Sequence, residues 1–557
     1  MEYHDGDRIT NLGEITEMAA DRYGDKTALE FYGQTVSFEE LELKSRKVAE
    51  VLHDEGVEPG ERVGLFIPNT LQFPPAYFGT IKAGAIPIPI NLRMDPETMT
   101  YVIDDAEIEV IIGSDKLGDE ATELSKKAGV DTLLLPNADE EASGETDVKD
   151  YTSKVGNASG EFEPVERKPD EVAIQPYTSG TTGDPKGVLL THENLTSTIE
   201  SYVKGGLPID PDDSILLILP LFHIYGLNAL LGSFLYTGGR IVMQAIPNPS
   251  MMLRAIDDNN LTCFAGVPAM YNMMFREYQK NPDQFDVSSL EYAVCAAAPL
   301  SDDTRRKIEI EWNINMVEGW GMTETGPAGT VEPTRGVNKE AGCVGPPIPN
   351  VEIKLVHPDT HETKISATDF EPKGVNRESL KFESEEEATG EIAIRGPQIF
   401  EGYYNKPEKN EEVFDDEGWF YTEDIARVDS DGYFWMVDRA DDMILSGGEN
   451  IYPAEIENAL YEHQDVAEAA VVAAPHEVKG EAPVAFVVLE DDVDESEVTE
   501  KELRSFTLDY VATYAHPRRV FFTNELPRSA TQKVQRYKLE EEAEERIDGN
   551  LSSSEEL

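Results

Sequence analysis

Of the 557 residues, 109 are Asp or Glu and 47 are Lys or Arg, a formal net charge of −62. This surplus is the tightest constraint on what the chain can fold into. A carboxylate taken out of water without a partner is costly, so every packed element must keep a face in solvent while the chain becomes compact against its own repulsion. Hydrophobic residues at 40% and aromatic residues at 8% supply the apolar surface for that, which separates this chain from acidic disordered proteins. At roughly 100–200 residues per domain, the length calls for more than one core. The same charge repels phosphate backbones and anionic lipid, so neither nucleic acid nor a membrane surface is an expected partner. It points to a salt-loving, haloarchaeal-type cytoplasm, because near ~1 M salt the Debye length falls to about 3 Å and most self-repulsion disappears; an ordinary acidic protein is the plainer reading.

Cys263, Cys295 and Cys343 are odd in number and widely spaced, which fits neither a disulfide framework nor a paired CxxC metal site and implies a reducing interior. The opening MEYHDGDRIT has no basic patch followed by an apolar stretch. The longest apolar runs, 83–92 and 215–221, are shorter than the roughly 18 residues needed to span a bilayer. A cytoplasmic protein without a transmembrane segment is expected, and a homodimer is left open.

Ser37, with Glu40 three residues later, forms a capping box, and Phe38, Leu41, Ser45, Val48, Ala49 and Leu52 recur at helical spacing towards Gly56. Residues 63–67, 73–82 and 85–90 read as strand, helix and strand, and Ile111, Ile112 and 133–135 as further buried strands, which makes an α/β region with a mostly parallel sheet. Two polar stretches, 139–167 and 357–388, read as surface excursions. The pattern changes near Arg439. Beyond it come a helix near 454–461, strands at 466–474 and 483–489, and a Thr499/Glu502 capping box opening a helix that carries Leu503, Phe506, Tyr510, Val511 and Tyr514. A last strand follows at 520–522. The expected division is 1–438 for a large unit, 439–540 for a small α+β unit, and 541–557 for a frayed acidic tail.

The densest chemical signal is YTSGTTGDPKGV at 177–188. Hydroxyl side chains, spacing glycines and one lysine make a loop able to surround a polyphosphate. It is not a Walker A loop, since Pro185 stands where that register needs glycine and Gly187 where it needs Ser or Thr. On composition alone, a flexible surface turn is an equal reading.

The loop resembles the phosphate-binding signature of the adenylate-forming superfamily of acyl-CoA synthetases, nonribosomal-peptide adenylation domains and luciferases. Further motifs stand in that family's order: PLFH at 220–223, EGWGMTE at 318–324, GE at 390–391 with RG at 395–396, WFYTED at 419–424, DRAD at 438–441, SGGENIYP at 446–453, and 527–536 containing Lys533. The resemblance covers nearly the whole chain. It implies an α/β AMP-binding domain of several subdomains with mostly parallel sheets, followed by a small mobile α+β domain.

It also implies a two-step reaction. A carboxylate attacks the α-phosphate of ATP to give an acyl adenylate and pyrophosphate, and a thiol then displaces AMP. Both reactants of the first step are anions, so positioning and cationic screening matter more than proton transfer. On this resemblance Lys533 lies between the acyl carboxylate and the adenylate, and Glu324 and the Thr181 hydroxyl hold Mg²⁺, hard oxygen donors suiting that ion. Thr178, Ser179, Gly180, Thr181, Thr182, Gly183, Lys186 and Thr323 attend the phosphates. Ala297, Trp320 and Gly321 shape the adenine slot, with Trp320 in place of the family's usual tyrosine. Asp424 accepts the ribose hydroxyls and Arg439 reaches the same ribose. Glu423 departs from the family, which has glycine there, so its carboxylate must point away from the phosphates or be paired. His223 lies at the mouth of an acyl pocket. Gly447 and Gly448 let backbone pass close to CoA, and Asp441 is the hinge on which the small domain turns between the half-reactions. Taken singly these residues have plainer readings: Lys533 a solvated lysine, Glu324 and Asp441 surface acids, Trp320 and His223 core side chains.

No Gly-Asp-Ser tripeptide for a carrier domain occurs, so free coenzyme A is the expected acceptor, with ATP and Mg²⁺ the other small-molecule partners of a carboxylic acid. Among branches, the motifs look most like long-chain fatty-acid–CoA ligases, with aryl- or coumarate-type ligases next. A luciferase-like oxygenase and a non-catalytic nucleotide-binding protein are the alternatives from other classes. Lys533, Glu324 and the loop hydroxyls are all present, against the latter.

Overall fold

The computed structural model describes residues 9–138, 141–143, 146–178, 185–207, 209–296, 302–334, 339, 342–366, 370–371, 374–375, 382, 384–439, 442–446, 449–476, 478–490, 493, 498–528 and 534–547. Among them, an eight-stranded sheet runs in the order Thr330–Val331, Asn315–Trp320, Tyr292–Ala296, Cys263–Gly266, Ser214–Leu217, Arg240–Met243, Thr27–Phe31, Gln34–Ser37. It is parallel except at its two edge pairs. Ser214–Leu217 and Cys263–Gly266 are buried along their whole length, as strands covered on both faces must be, which is why they read as unbroken apolar runs. A second sheet, Ile86–Pro89, Arg62–Phe66, Val110–Gly113, Thr132–Leu135, Thr146–Asp150 and Glu141–Ser143, is parallel up to its last pair.

The Ser37–Glu40 capping box closes both ways, at 3.1 Å each, and starts the helix Phe38–Asp54. That helix lies on Phe73–Lys82 so closely that a Cβ on Gly79 would stand 2.5 Å from Cβ of Val48. A third sheet of six strands is antiparallel throughout: Cys343–Gly345, Phe434–Arg439, Phe420–Val428, Thr389–Arg395, Glu352–Val356 and Thr363–Ile365. Past Arg439, a five-stranded sheet centred on the long hairpin Val466–His476 and Gly480–Leu489 carries its own apolar clusters, one around Ile456 and Val471 and one around Phe486 and Leu539. The fold is α/β, with a large N-terminal part and a smaller C-terminal one. Among the described residues no helix is long and apolar enough to cross a membrane.

Three expectations need correction. The stretch 139–167 is not merely a surface excursion: Thr146–Asp150 pairs in parallel with Thr132–Leu135, and the helix Tyr151–Asn157 buries Tyr151. The helix after Thr499 is Glu500–Thr507 and does not reach Tyr514. Arg504 Nε donates to the Pro517 carbonyl at 3.0 Å and fixes the return of the chain to the strand Arg519–Phe522, leaving Tyr510 and Tyr514 exposed. Finally, the helix Arg536–Ile547 runs past residue 540, because Leu539 and Ala543 bury against the small sheet; residues 548–557 lie outside the described ones.

Candidate active site

The strand Lys186–Thr191 is the hub on which the site is assembled. It pairs antiparallel with Tyr177–Thr178, placing Thr178 opposite Lys186, with Val172–Ile174, and with Gly402–Tyr403. Gly187 is needed where it stands, since a Cβ there would lie 2.6 Å from Gln175 Nε2 and 3.0 Å from the Tyr177 ring. Ser179, Gly180, Thr181, Thr182 and Gly183, between the two strands, lie outside the described residues, as do Ala297, Asp441, Gly447, Gly448 and Lys533.

Glu324 sits in the tight turn Thr323–Thr325. The preceding Gly321 passes so near Pro327 that a Cβ would be 1.7 Å from its carbonyl oxygen, and Gly326 takes φ 71° to end the turn. Glu324 is buried, and Tyr403 Oη donates to its Oε1 at 2.8 Å while Lys186 Nζ stands 5.0 Å from the centre of the Tyr403 ring. One tyrosine thus joins the lysine of one motif to the acid of another. Burial raises the Glu324 carboxyl above the ordinary range, opposed by the Tyr403 hydrogen bond and by the charges of Lys186 and Arg439. The carboxylate oxygens of Glu324 are hard donors of the kind Mg²⁺ takes.

Trp320 ends the strand Asn315–Trp320. Its ring packs on Gly329, where a Cβ would be 2.4 Å away, and its Nε1 donates to Asp424 Oδ2 at 2.7 Å. Asp424 faces Arg439 across the ladder of Phe420–Val428 and Phe434–Arg439, with Arg439 Nε 3.9 Å from Asp424 Oδ1. Glu423, the residue out of family pattern, has φ 61°, and its register slips against Glu391 and Ala393. Its carboxylate is paired: Lys409 Nζ lies 3.2 Å from Oε1 and Arg439 Nη2 3.2 Å from Oε2. Left-handed backbone costs a non-glycine residue about 1 kcal/mol or more, so these contacts, with the Glu423 amide donating to buried Glu391 at 3.0 Å, hold a conformation that the residue type disfavours.

Behind the same strand, Arg305 is buried between Glu318 at 2.9 Å and Glu332 at 3.0 Å, and also donates to the Met316 carbonyl at 2.8 Å. One guanidinium serves two buried acids. Burial pushes Glu318 up to about 8 and Glu332 upward, in both cases against the pull of Arg305.

His223 lines a cavity of about 110 Å³, mostly apolar, with Ile218, Phe222, Val267 and Met270 in its wall and Asn69 and Arg93 among its polar groups. Asn69 holds the wall in place from a distant segment: its Nδ2 donates to the Leu219 carbonyl at 2.8 Å and its Oδ1 accepts from the Leu221 amide at 2.9 Å. The π-helix Tyr225–Gly232 follows His223, and its Asn228 Nδ2 donates to the Gly326 carbonyl at 2.7 Å, linking cavity wall and Glu324 turn. In the small part, Val534 bridges Arg528, and Arg536 pairs with Glu457 at 2.5 Å and Asp442 at 3.4 Å.

The structure therefore brings together Thr178, Lys186, Trp320, Gly321, Thr323, Glu324, Asp424 and Arg439, with His223 on an adjoining cavity. Sequence reading missed Tyr403, Asn69 and Lys409. The only local signal for Tyr403 was a tyrosine pair directly after Gly402, a small residue followed by two side chains able to reach a polar group.

Residues 16–404 match the AMP-binding enzyme family and residues 455–533 match the AMP-binding enzyme C-terminal domain. The long-chain-fatty-acid–CoA ligase of Bacillus subtilis strain 168 is 30% identical over 554 residues, covering 95% of this chain and 94% of its own. 4-Coumarate–CoA ligase 1 of Narcissus pseudonarcissus is 31% identical over 520 residues, covering 91% and 89%. The crystal structure of ATP-bound MatB from Rhodopseudomonas palustris superposes with a TM-score of 0.83 at 28% identity, covering 96% of this chain and 98% of that one. The likeness runs through both parts of the chain and spans nearly the full length of each relative, and it makes this chain a member of the family of AMP-binding enzymes.

Proposed function

We propose that this protein is an AMP-forming acid–CoA ligase, joining a carboxylic acid to coenzyme A through an acyl adenylate at the expense of ATP. The observation that carries this reading is the meeting, through Tyr403, of Lys186 and Glu324, beside the Trp320–Asp424 hydrogen bond. Lys186 is a phosphate-facing cation. Asp424 is a bidentate acceptor for ribose hydroxyls, and Trp320 braces it while presenting ring surface towards a base. Glu324, with Thr181, would hold Mg²⁺, which neutralises phosphate charge when bound. Lys533 is assigned to the adenylation step, Asp441 to the hinge, and Gly447 and Gly448 to the CoA side, each by position in the sequence. The same reading takes 1–438 as the adenylating domain and 439–540 as a mobile partner, and the acidic shell as an adaptation to molar salt.

For the acid, a long-chain fatty acid is the first reading, supported by the fatty-acid–CoA ligase relatives. A second reading is an aromatic acid of the coumarate type. Coumarate ligases stand at similar identity. The test is acid-dependent AMP release with ATP, Mg²⁺ and CoA in molar KCl, over acetate, octanoate, palmitate, benzoate and coumarate. Turnover with any of them supports the ligase, and the best one names the branch. AMP release that ignores both acid and CoA contradicts the reading. In the same assay, Lys533→Ala should lose adenylate formation by orders of magnitude yet keep thioester formation from supplied acyl adenylate. Equal loss in both would remove its assignment.

A further inference from the structure

Glu423 stands in the left-handed region at φ 61°, immediately before Asp424, at a slip in the strand register. Glycine would adopt that backbone without strain. A glutamate kept there asks what the side chain does, and its contacts answer. Oε1 takes Lys409, itself held by Glu412 at 2.8 Å, and Oε2 takes Arg439 Nη2 at 3.2 Å. The Glu423 amide is tied to buried Glu391, so the carboxylate projects from a fixed base. Arg439, meanwhile, stays 3.9 Å from Asp424 Oδ1, beyond hydrogen-bond reach, although the two residues face each other across the ladder. Asp424, one residue on, is a second carboxylate within 4 Å of the same guanidinium.

We propose that Glu423 is a positioning residue for the nucleotide: by bridging Lys409 and Arg439 it holds the guanidinium off Asp424, so that Asp424 meets ribose hydroxyls and not its neighbour's positive charge. The proposal rests on the assignment of Asp424 to the ribose made above. A bidentate Arg–carboxylate pair is a strong competitor for a diol, and a competing carboxylate one residue away prevents it.

The test is equilibrium binding of ATP and 2′-deoxy-ATP, with Mg²⁺ in molar KCl and without acid or CoA, to the full chain and to Glu423→Gln and Glu423→Gly. Glycine suits φ 61°, so the second variant guards against a folding failure. The wild type should prefer ATP to 2′-deoxy-ATP by about tenfold, as a site that pairs a hydroxyl does. Both variants should lose roughly tenfold in ATP affinity and little for 2′-deoxy-ATP, closing most of the gap. Unchanged ATP affinity and preference in folded variants overturn the positioning role, and so does an equal loss for both nucleotides, which marks a general structural defect. A wild type that binds neither nucleotide, or does not tell them apart, overturns the ribose assignment beneath it.

Discussion

Arg305 and Arg439 each stand among acidic side chains, yet they live in different media. Arg305 has its side chain 3% exposed, Glu318 at 2.9 Å and Glu332 at 3.0 Å, and those acids are themselves engaged by the Gly342 and Glu318 amides. Arg439 is 39% exposed, with Glu423 at 3.2 Å and Asp424 at 3.9 Å. Buried, the pairs are fixed parts of the strand that carries Trp320, since giving one up strands a charge in low dielectric. At the rim, water can replace a protein partner at small cost, so the same residue types can trade a neighbour for a ligand. For these two arginines, burial separates scaffold from site more than residue identity or distance does.

The largest expected effect breaks the buried member. Arg305→Met leaves Glu318, Glu332 and the less buried Glu309 without their cation and should cost about 3–5 kcal/mol, read as a lower denaturant midpoint, and Glu318→Gln with Glu332→Gln in the same chain should restore most of it. Arg439→Met should shift the midpoint by well under ~1 kcal/mol while raising the KM for ATP. Equal midpoints for the two single variants would erase the contrast. Glu324→Gln, buried but ligand-facing, should cut turnover about 10²-fold and leave the midpoint unchanged or higher, because its burial already disfavours the charge. Loss of fold in that variant would move Glu324 to the scaffold side.

Titration sharpens the same line. Glu318 is pushed up to about 8 from the usual value of 4.5, so the folded state holds its proton more tightly than the unfolded chain does. Its contribution to stability is complete below pH 4.5 and is lost as pH rises through about 8. Glu318→Gln should flatten the stability curve in that window, with a change in slope of at most about 1.4 kcal/mol per pH unit. A wild-type curve already flat there would show that Arg305 wins over burial. Smaller still, Tyr403→Phe removes one hydrogen bond to Glu324 and should lower turnover about fivefold. An effect as large as that of Glu324→Gln would make Tyr403 a direct participant.

The site was legible where chemistry is local in sequence and obscure where pairing brings it in. Lys186, Trp320, Glu324 and Asp424 stand in short motifs whose glycines and hydroxyls are meaningful side by side. Tyr403 reaches Glu324 across 79 residues, and Asn69 reaches the segment before His223 across 152, because strands far apart in the chain lie together; no spacing rule exposes either. The fold shows the same divide. Phe73–Lys82 and the Ser37 cap follow from local pattern, whereas the helix begun at Thr499 stops at Thr507 though its apolar spacing continues, since the chain must turn back to reach the sheet. An acidic tail looked frayed until Leu539 and Ala543 found an apolar face to cover.

The most direct measurement is ATP–pyrophosphate exchange without CoA, on the wild type and on Asp424→Asn, with and without a carboxylic acid. On the proposed function the site forms the acyl adenylate before any thiol arrives, so exchange should require the acid, need no CoA, and fall at least tenfold in Asp424→Asn with its stability intact. Exchange that proceeds without an acid, that waits for CoA, or that survives the loss of the Asp424 charge would contradict the account.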